Sequence, residues 1–223
     1  MRLTTLAIAF TLAPAAFAQT YLAADGDCGT TTLHVISEGN TVAADRVANA
    51  LLHLTKEKMP LTPDEGAGPL AFHVSVPEEG VAMVAVDFKP TFNGSETRTE
   101  HAKAMIFCGP VTPPADWQRS TGLGLEIYPR GWNGPRPHMK AGDSMRFIAV
   151  DKATNKLIRD LPMELYRAGG ARIAEGVPAQ YGGMTFPYQE PGRYVVVTTY
   201  RRPDPQQPES FLVDTSTLTF DIK

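Results

Sequence analysis

Hydrophobic and polar residues alternate along much of this chain with a period of two, the spacing that buries one face of a β-strand. Phe72, Val74 and Val76 alternate with His73 and Ser75, and Pro77-Glu78-Glu79-Gly80 then turns the chain into Val81 to Phe88, apolar on both faces. An alternating run predicts a strand with one wet face, and a continuous one a strand covered on both. The two read as a hairpin in the middle of a sandwich. Lys103 to Cys108 predicts a further strand, ended by Gly109-Pro110-Val111-Thr112-Pro113-Pro114, whose prolines lack the N–H that a ladder needs. Between Ala43 and Lys58 two periods compete. Val47, Ala50, Leu51 and Leu54 fit a helix, while Leu52 and Leu54 around His53 fit a strand, which is the reading kept.

Beyond the proline-rich stretch the pattern resumes. Leu123, Leu125 and Ile127 alternate, residues 131–142 form a Pro/Gly-rich loop, and Met145, Phe147 and Ala149 make another alternating face. Leu157 to Tyr166 and a weaker Ala171 to Val177 follow. Pro191-Gly192 then opens Arg193 to Tyr200, and Leu218, Phe220 and Ile222 close the chain. Short strands at this density predict an all-β protein of two immunoglobulin-like or transthyretin-like β-sandwich domains. The expected units are residues 19–109 and 121–223, joined by a linker at 110–120.

The N-terminus departs from this pattern. Arg2 precedes an apolar stretch from Leu3 to Ala13, and Ala16-Phe17-Ala18 has the small-x-small form cut by signal peptidase, so residues 1–18 read as a secretory signal peptide. The stretch is too short for a permanent transmembrane helix, and no later run reaches spanning length. A mature chain beginning at Gln19 is expected in the periplasm or outside the cell. Lys and Arg number 21 against 24 Asp and Glu, a net charge of -3 without long runs of one sign. That balance carries no footprint for nucleic acid. In an oxidising compartment the two cysteines, Cys28 and Cys108, are expected to pair, since a reactive or metal-bound Cys28 has no partner motif.

Several turns and strand ends together resemble a known family. These are Arg98-x-x-His101-Ala102-Lys103-Ala104 leading to Gly109, Gly124-Leu125-Glu126-Ile127-Tyr128-Pro129, Ala141-Gly142-Asp143, Glu190-Pro191-Gly192-Arg193-Tyr194, and Thr217-Leu218-Thr219-Phe220. The chain resembles the domain of unknown function 4198 family, secreted bacterial proteins often labelled as nickel-uptake or cobalt-transport components. The resemblance implies a non-enzymatic periplasmic accessory protein, with nickel or cobalt as the metal and an envelope protein or transporter as partner. Members commonly begin the mature chain with a His-Asp-x-Trp-Leu type start. Here Gln19-Thr20-Tyr21-Leu22 stands there instead, without the imidazole that would chelate a borderline metal.

Candidate chemistry is sparse. The histidines His34, His53, His73, His101 and His138 are never within four residues of one another, so no local metal pair exists. His138, His101 and His34 are the candidate metal donors, each also readable as an ordinary structural histidine. The loop after Pro129 gathers Arg130, Trp132 and Arg136, an aromatic with flanking guanidinium groups that can clamp an anion or a sugar face. Equally, Trp132 can cover its own sandwich. No nucleophile elbow, zinc-protease helix, phosphate loop or Cys-x-x-Cys occurs. The expectation is therefore a binding protein rather than an enzyme, with a structural protein–protein interaction module of the cell envelope as the alternative.

Overall fold

The computed structural model describes residues 20–26, 28–37, 41–54, 57–64, 69–109, 120–130 and 139–223. The chain is all-β, with one short 3-10 turn at Ala44–Arg46 among the described residues. Strands of the first half are β1 (Thr20–Asp25), β2 (Gly29–Ser37), β3 (Val47–His53), β4 (Lys58–Pro60), β5 (Ala71–Val76), β6 (Gly80–Phe88), β7 (Thr91–Asn93) and β8 (Glu96–Cys108). The second half supplies β9 (Leu125–Pro129), β10 (Ser144–Asp151), β11 (Lys156–Ile158), β12 (Met163–Arg167), β13 (Arg172–Glu175), β14 (Val177–Pro178), β15 (Met184–Pro187), β16 (Gly192–Pro203) and β17 (Phe211–Ile222).

Three sheets form. β1, β2 and β5 make the smallest. β9, β10, β11, β14 and β15 make the second, with β10 at its centre. The third runs β13-β12-β16-β17-β8-β6-β3-β4, with β7 paired to the start of β8. In that sheet β17 runs parallel to β8, from Phe211 opposite Glu96 to Thr219 opposite Ala104, so strands from both halves share one ladder.

The alternation in the sequence becomes the faces of these sheets. In β5, Phe72, Val74 and Val76 are buried while His73 and Ser75 are exposed, and in β10 Met145, Phe147 and Ala149 point inward. The continuous apolar run of β6 has the other outcome. Ala82, Val84 and Val86 enter one core with Leu22, Leu33, Phe72 and Val74, while Val81 and Met83 enter a second with Phe147, Phe186, Tyr194 and Phe220. β8 divides the same way, with Ala104 and Ile106 on one side and Met105 and Phe107 on the other. The large sheet is thus covered on both faces by the other two. Tyr21 of β1 packs with Val195 and Val197 of β16 in a third, small cluster.

The two sandwiches expected from sequence therefore have a sheet in common, and the second core includes β6 and β8 of the first half. The expected linker lies almost wholly outside the described residues, as do the leader at 1–18 and residues 131–138 with Trp132, Arg136 and His138. The ambiguous stretch from Ala43 resolves into the 3-10 turn followed by β3, whose Leu52 faces the first core. Near the edge, the chain crosses from the large sheet to the five-stranded one at Gly176. Its N–H donates to Met163 O at 2.8 Å, and a Cβ there would lie 2.5 Å from Met184 Cβ, so only glycine makes the crossing unstrained.

Cys28 and Cys108 are joined in a disulfide with a Cα separation of 5.6 Å, tying the turn before β2 to the end of β8. The bond closes a span of 80 residues and pins the three-stranded sheet to the large one. Replacing both cysteines with serine is expected to lower the unfolding free energy by about 2–4 kcal/mol. Urea denaturation of the oxidised protein beside the double variant measures this difference.

Candidate functional site

His101 and Lys103 lie two residues apart on β8, so they project from one face of the large sheet. β6 sets Asp87 opposite His101, and β17 sets Ser216 on its other side. His101 Nδ1 bonds to Asp87 Oδ1 at 2.6 Å, and Nε2 faces Asp214 Oδ1 at 3.6 Å, an ion-pair contact longer than a hydrogen bond. Arg202 of β16 donates to the second oxygen of Asp214 at 2.5 Å. Burial pushes the imidazolium down, but the Asp214 and Asp87 carboxylates outweigh it and raise the His101 pKa to about 9. A small residue is needed over this ring. A Cβ on Gly124 would stand 2.7 Å from His101 Cε1.

Ser216, His101 and Asp87 are the residue types of a hydrolytic triad, but their arrangement is unsuited to one. Ser216 is fully buried, and its Oγ has no hydrogen-bond partner among the described residues. The imidazole beside it is protonated at neutral pH and so cannot accept a proton as a general base. The group acts as an electrostatic tie between β6, β8, β17 and β16.

One pleat along β8, Lys103 Nζ donates to Glu126 Oε1 of β9 at 3.0 Å, with both side chains fully buried. The same oxygen accepts from Thr121 N and Thr121 Oγ1, each at 2.8 Å. Oε2 accepts from Tyr128 OH at 2.8 Å, Ser120 Oγ at 3.1 Å and Gly122 N at 3.3 Å. Burial alone would raise the Glu126 pKa, but Lys103 and the Thr121 donors bring it down to about 2. Burial lowers the Lys103 pKa and Glu126 opposes that shift. Tyr128 goes the other way. Burial, reinforced by the Glu126 charge, holds its phenol far above the usual range, so it remains a donor.

Tyr128 and Ser120 link this network to a surface cleft of about 320 Å³ on the outer side of the five-stranded sheet. The sheet lines it through Tyr128 and Pro129 of β9, Ile148 and Val150 of β10, and Leu157 of β11, with Val150 opposite Leu157 in the ladder. Ile148 and Val150 occupy outward positions of β10, where alternation otherwise leaves Ser144 and Arg146. Arg130, Lys152 and Asn155 complete the lining. Among the described residues, neither Arg130 nor Lys152 has an ion pair and no carboxylate lines the cleft. Two cations, an amide and hydroxyl oxygens beside an apolar wall form a pocket suited to a small organic anion.

No family model and no curated protein matches this chain. The family resemblance thus rests on the motifs quoted above. Of the residues singled out in the sequence, Arg130 reaches the cleft, while Trp132, Arg136 and His138 lie outside the described residues. His101, a candidate metal donor, is 4 % exposed within β8, with both ring nitrogens turned to carboxylates. His34 of β2 lies 3.4 Å from Asp25. Among the described residues no group of three His, Cys, Asp or Glu side chains could hold a metal ion.

Asp87, Asp214, Lys103, Glu126, Tyr128 and Lys152 were not singled out from sequence. A signal existed for two of them. Lys103 interrupts an apolar run, and Glu126 stands between Leu125 and Ile127.

The raised His101 pKa makes stability depend on alkaline pH. The folded chain holds this proton up to about pH 9, whereas an unfolded histidine releases it near 6.5. The stabilisation is complete below 6.5, declines as pH rises between the two values, and is gone above about 9, a loss of roughly 3 kcal/mol. Gly124→Ala should displace the ring from its carboxylates, lower stability at pH 6 by roughly 2–3 kcal/mol, and flatten this limb. Urea midpoints of both proteins across pH 6–10 test the pair of effects.

Proposed function

We propose that this is an exported, non-enzymatic binding protein of the cell envelope that takes a small organic anion in the cleft beside Tyr128. The observation that carries the reading is that Arg130 and Lys152, neither ion-paired among the described residues, line one concave site with no carboxylate among its described lining residues. Unpaired cations at a pocket attract anions and are stabilised by binding them. The disulfide suits an oxidising compartment, which agrees with the leader read in residues 1–18. A role in nickel or cobalt uptake has the quoted resemblance as its support, with His138 as the donor candidate outside the described residues. Calorimetric titration with a panel of short-chain mono- and dicarboxylates should give saturable binding. Arg130→Ala should weaken it at least about tenfold. Heats no larger than dilution for every anion tried would reject the proposal.

A second reading, an interaction module of the envelope, draws on the sheet edges. β13 borders the large sheet and β14 the five-stranded one. Ile173 is 42 % exposed, Val177 64 % and Tyr181 72 %. An edge strand carrying exposed apolar side chains can accept a partner strand. This reading expects a stoichiometric envelope protein to co-purify with the native chain and to be released by Val177→Lys. Unchanged recovery of that protein with the variant would count against it.

A further inference from the structure

The hydroxyl groups at the floor of the cleft are already committed as donors. Tyr128 OH and Ser120 Oγ each have one hydrogen, and both donate to Glu126 Oε2, at 2.8 and 3.1 Å. Glu126 retains its negative charge because its pKa is held near 2, and the Tyr128 phenol does not ionise in the ordinary range. The direction of both bonds is therefore fixed by the carboxylate. What remains for an occupant at these oxygens is lone pairs. At these hydroxyls the cleft is therefore an acceptor surface.

The charge around that floor narrows the choice of donor. Lys103 offsets Glu126 in the buried layer, leaving Arg130 and Lys152 as the charged groups among the described lining residues. An ammonium group would meet two uncompensated cations, whereas a neutral hydroxyl donates at no such disadvantage. Beside Tyr128 on the same sheet, Ile148, Val150 and Leu157 present only hydrocarbon and call for an alkyl portion on the ligand.

We infer that the cleft selects a hydroxycarboxylate: the carboxylate on Arg130, a neighbouring hydroxyl donating to Ser120 Oγ or Tyr128 OH, and a short alkyl chain against Ile148, Val150 and Leu157. This inference rests on the anion-binding reading above and specifies what the anion must carry. It also assigns Ser120 and Tyr128 a specificity role, through the buried Glu126 that orients them.

The test compares 2-hydroxybutyrate, butyrate and 2-aminobutyrate by calorimetry on the disulfide-bonded mature chain. The hydroxy acid should bind roughly fivefold tighter than butyrate, the worth of one neutral hydrogen bond, and tighter than the amino acid. Ser120 is exposed, so Ser120→Ala is expected to fold, and it should narrow the gap between hydroxy acid and butyrate without abolishing butyrate binding. Equal binding of hydroxy acid and butyrate, abolished in Arg130→Ala, overturns the hydroxyl selectivity and leaves the anion reading intact. Tighter binding of 2-aminobutyrate than of 2-hydroxybutyrate also overturns it. If none of the three binds and the wider carboxylate panel is silent too, the anion reading itself falls.

Discussion

The parallel pairing of β17 with β8 is the contact on which the other layers depend. β8 is bonded to β6 on one edge and to β17 on the other, and its Cys108 end is tied to the three-stranded sheet. A parallel pair cannot be made by a tight turn, so this ladder forms only after the chain between the two strands has been laid down. Once made, it turns two half-sheets into one surface with a core on each face. β6 and the part of β8 from His101 to Cys108 are then covered above and below, and any polar group they carry there must find its partner inside.

That consequence explains the charged layer. His101 and Lys103 are buried because β8 is central, and the opposing charges come from strands that β8 meets only in the folded state: Asp87 from β6, Asp214 from β17 and Glu126 from β9. Buried ion pairs are weak sources of net stability, since desolvation offsets most of their attraction. Their geometry favours one register instead. A shift of β17 by one residue would turn Asp214 away from His101 and leave an uncompensated charge in the interior. Ser216 Oγ in the same row has no hydrogen-bond partner among the described residues, so the layer matches charges without completing every hydrogen bond.

The cleft draws its chemistry from this layer without sharing its burial. Glu126 gathers donors from Ser120, Thr121, Gly122 and Tyr128, which holds the segment entering β9 against the sheet. Because the carboxylate orients those hydroxyls inward, the surface above presents oxygen lone pairs beside two cations. A structural ion pair thereby sets the polarity of a site that neither Lys103 nor Glu126 touches.

Much of the fold can be read in the sequence because it is encoded locally. Alternation placed Phe72, Val74 and Val76 inside, the continuous run from Val81 to Phe88 marked a strand covered on both faces, and two cysteines pointed to one disulfide. Period and composition are properties of neighbouring residues, and a strand's exposure follows from them. Which strands pair is not such a property. The ladder between β8 and β17 and the contacts of Lys103 with Glu126 and His101 with Asp214 join residues far apart in the chain, and no spacing records them. Arg130 was legible as one cation of a loop set with Trp132 and Arg136. Only tertiary structure set it in one cleft with Lys152, near hydroxyls whose hydrogens point to Glu126, because a cleft is made by surfaces that meet after folding.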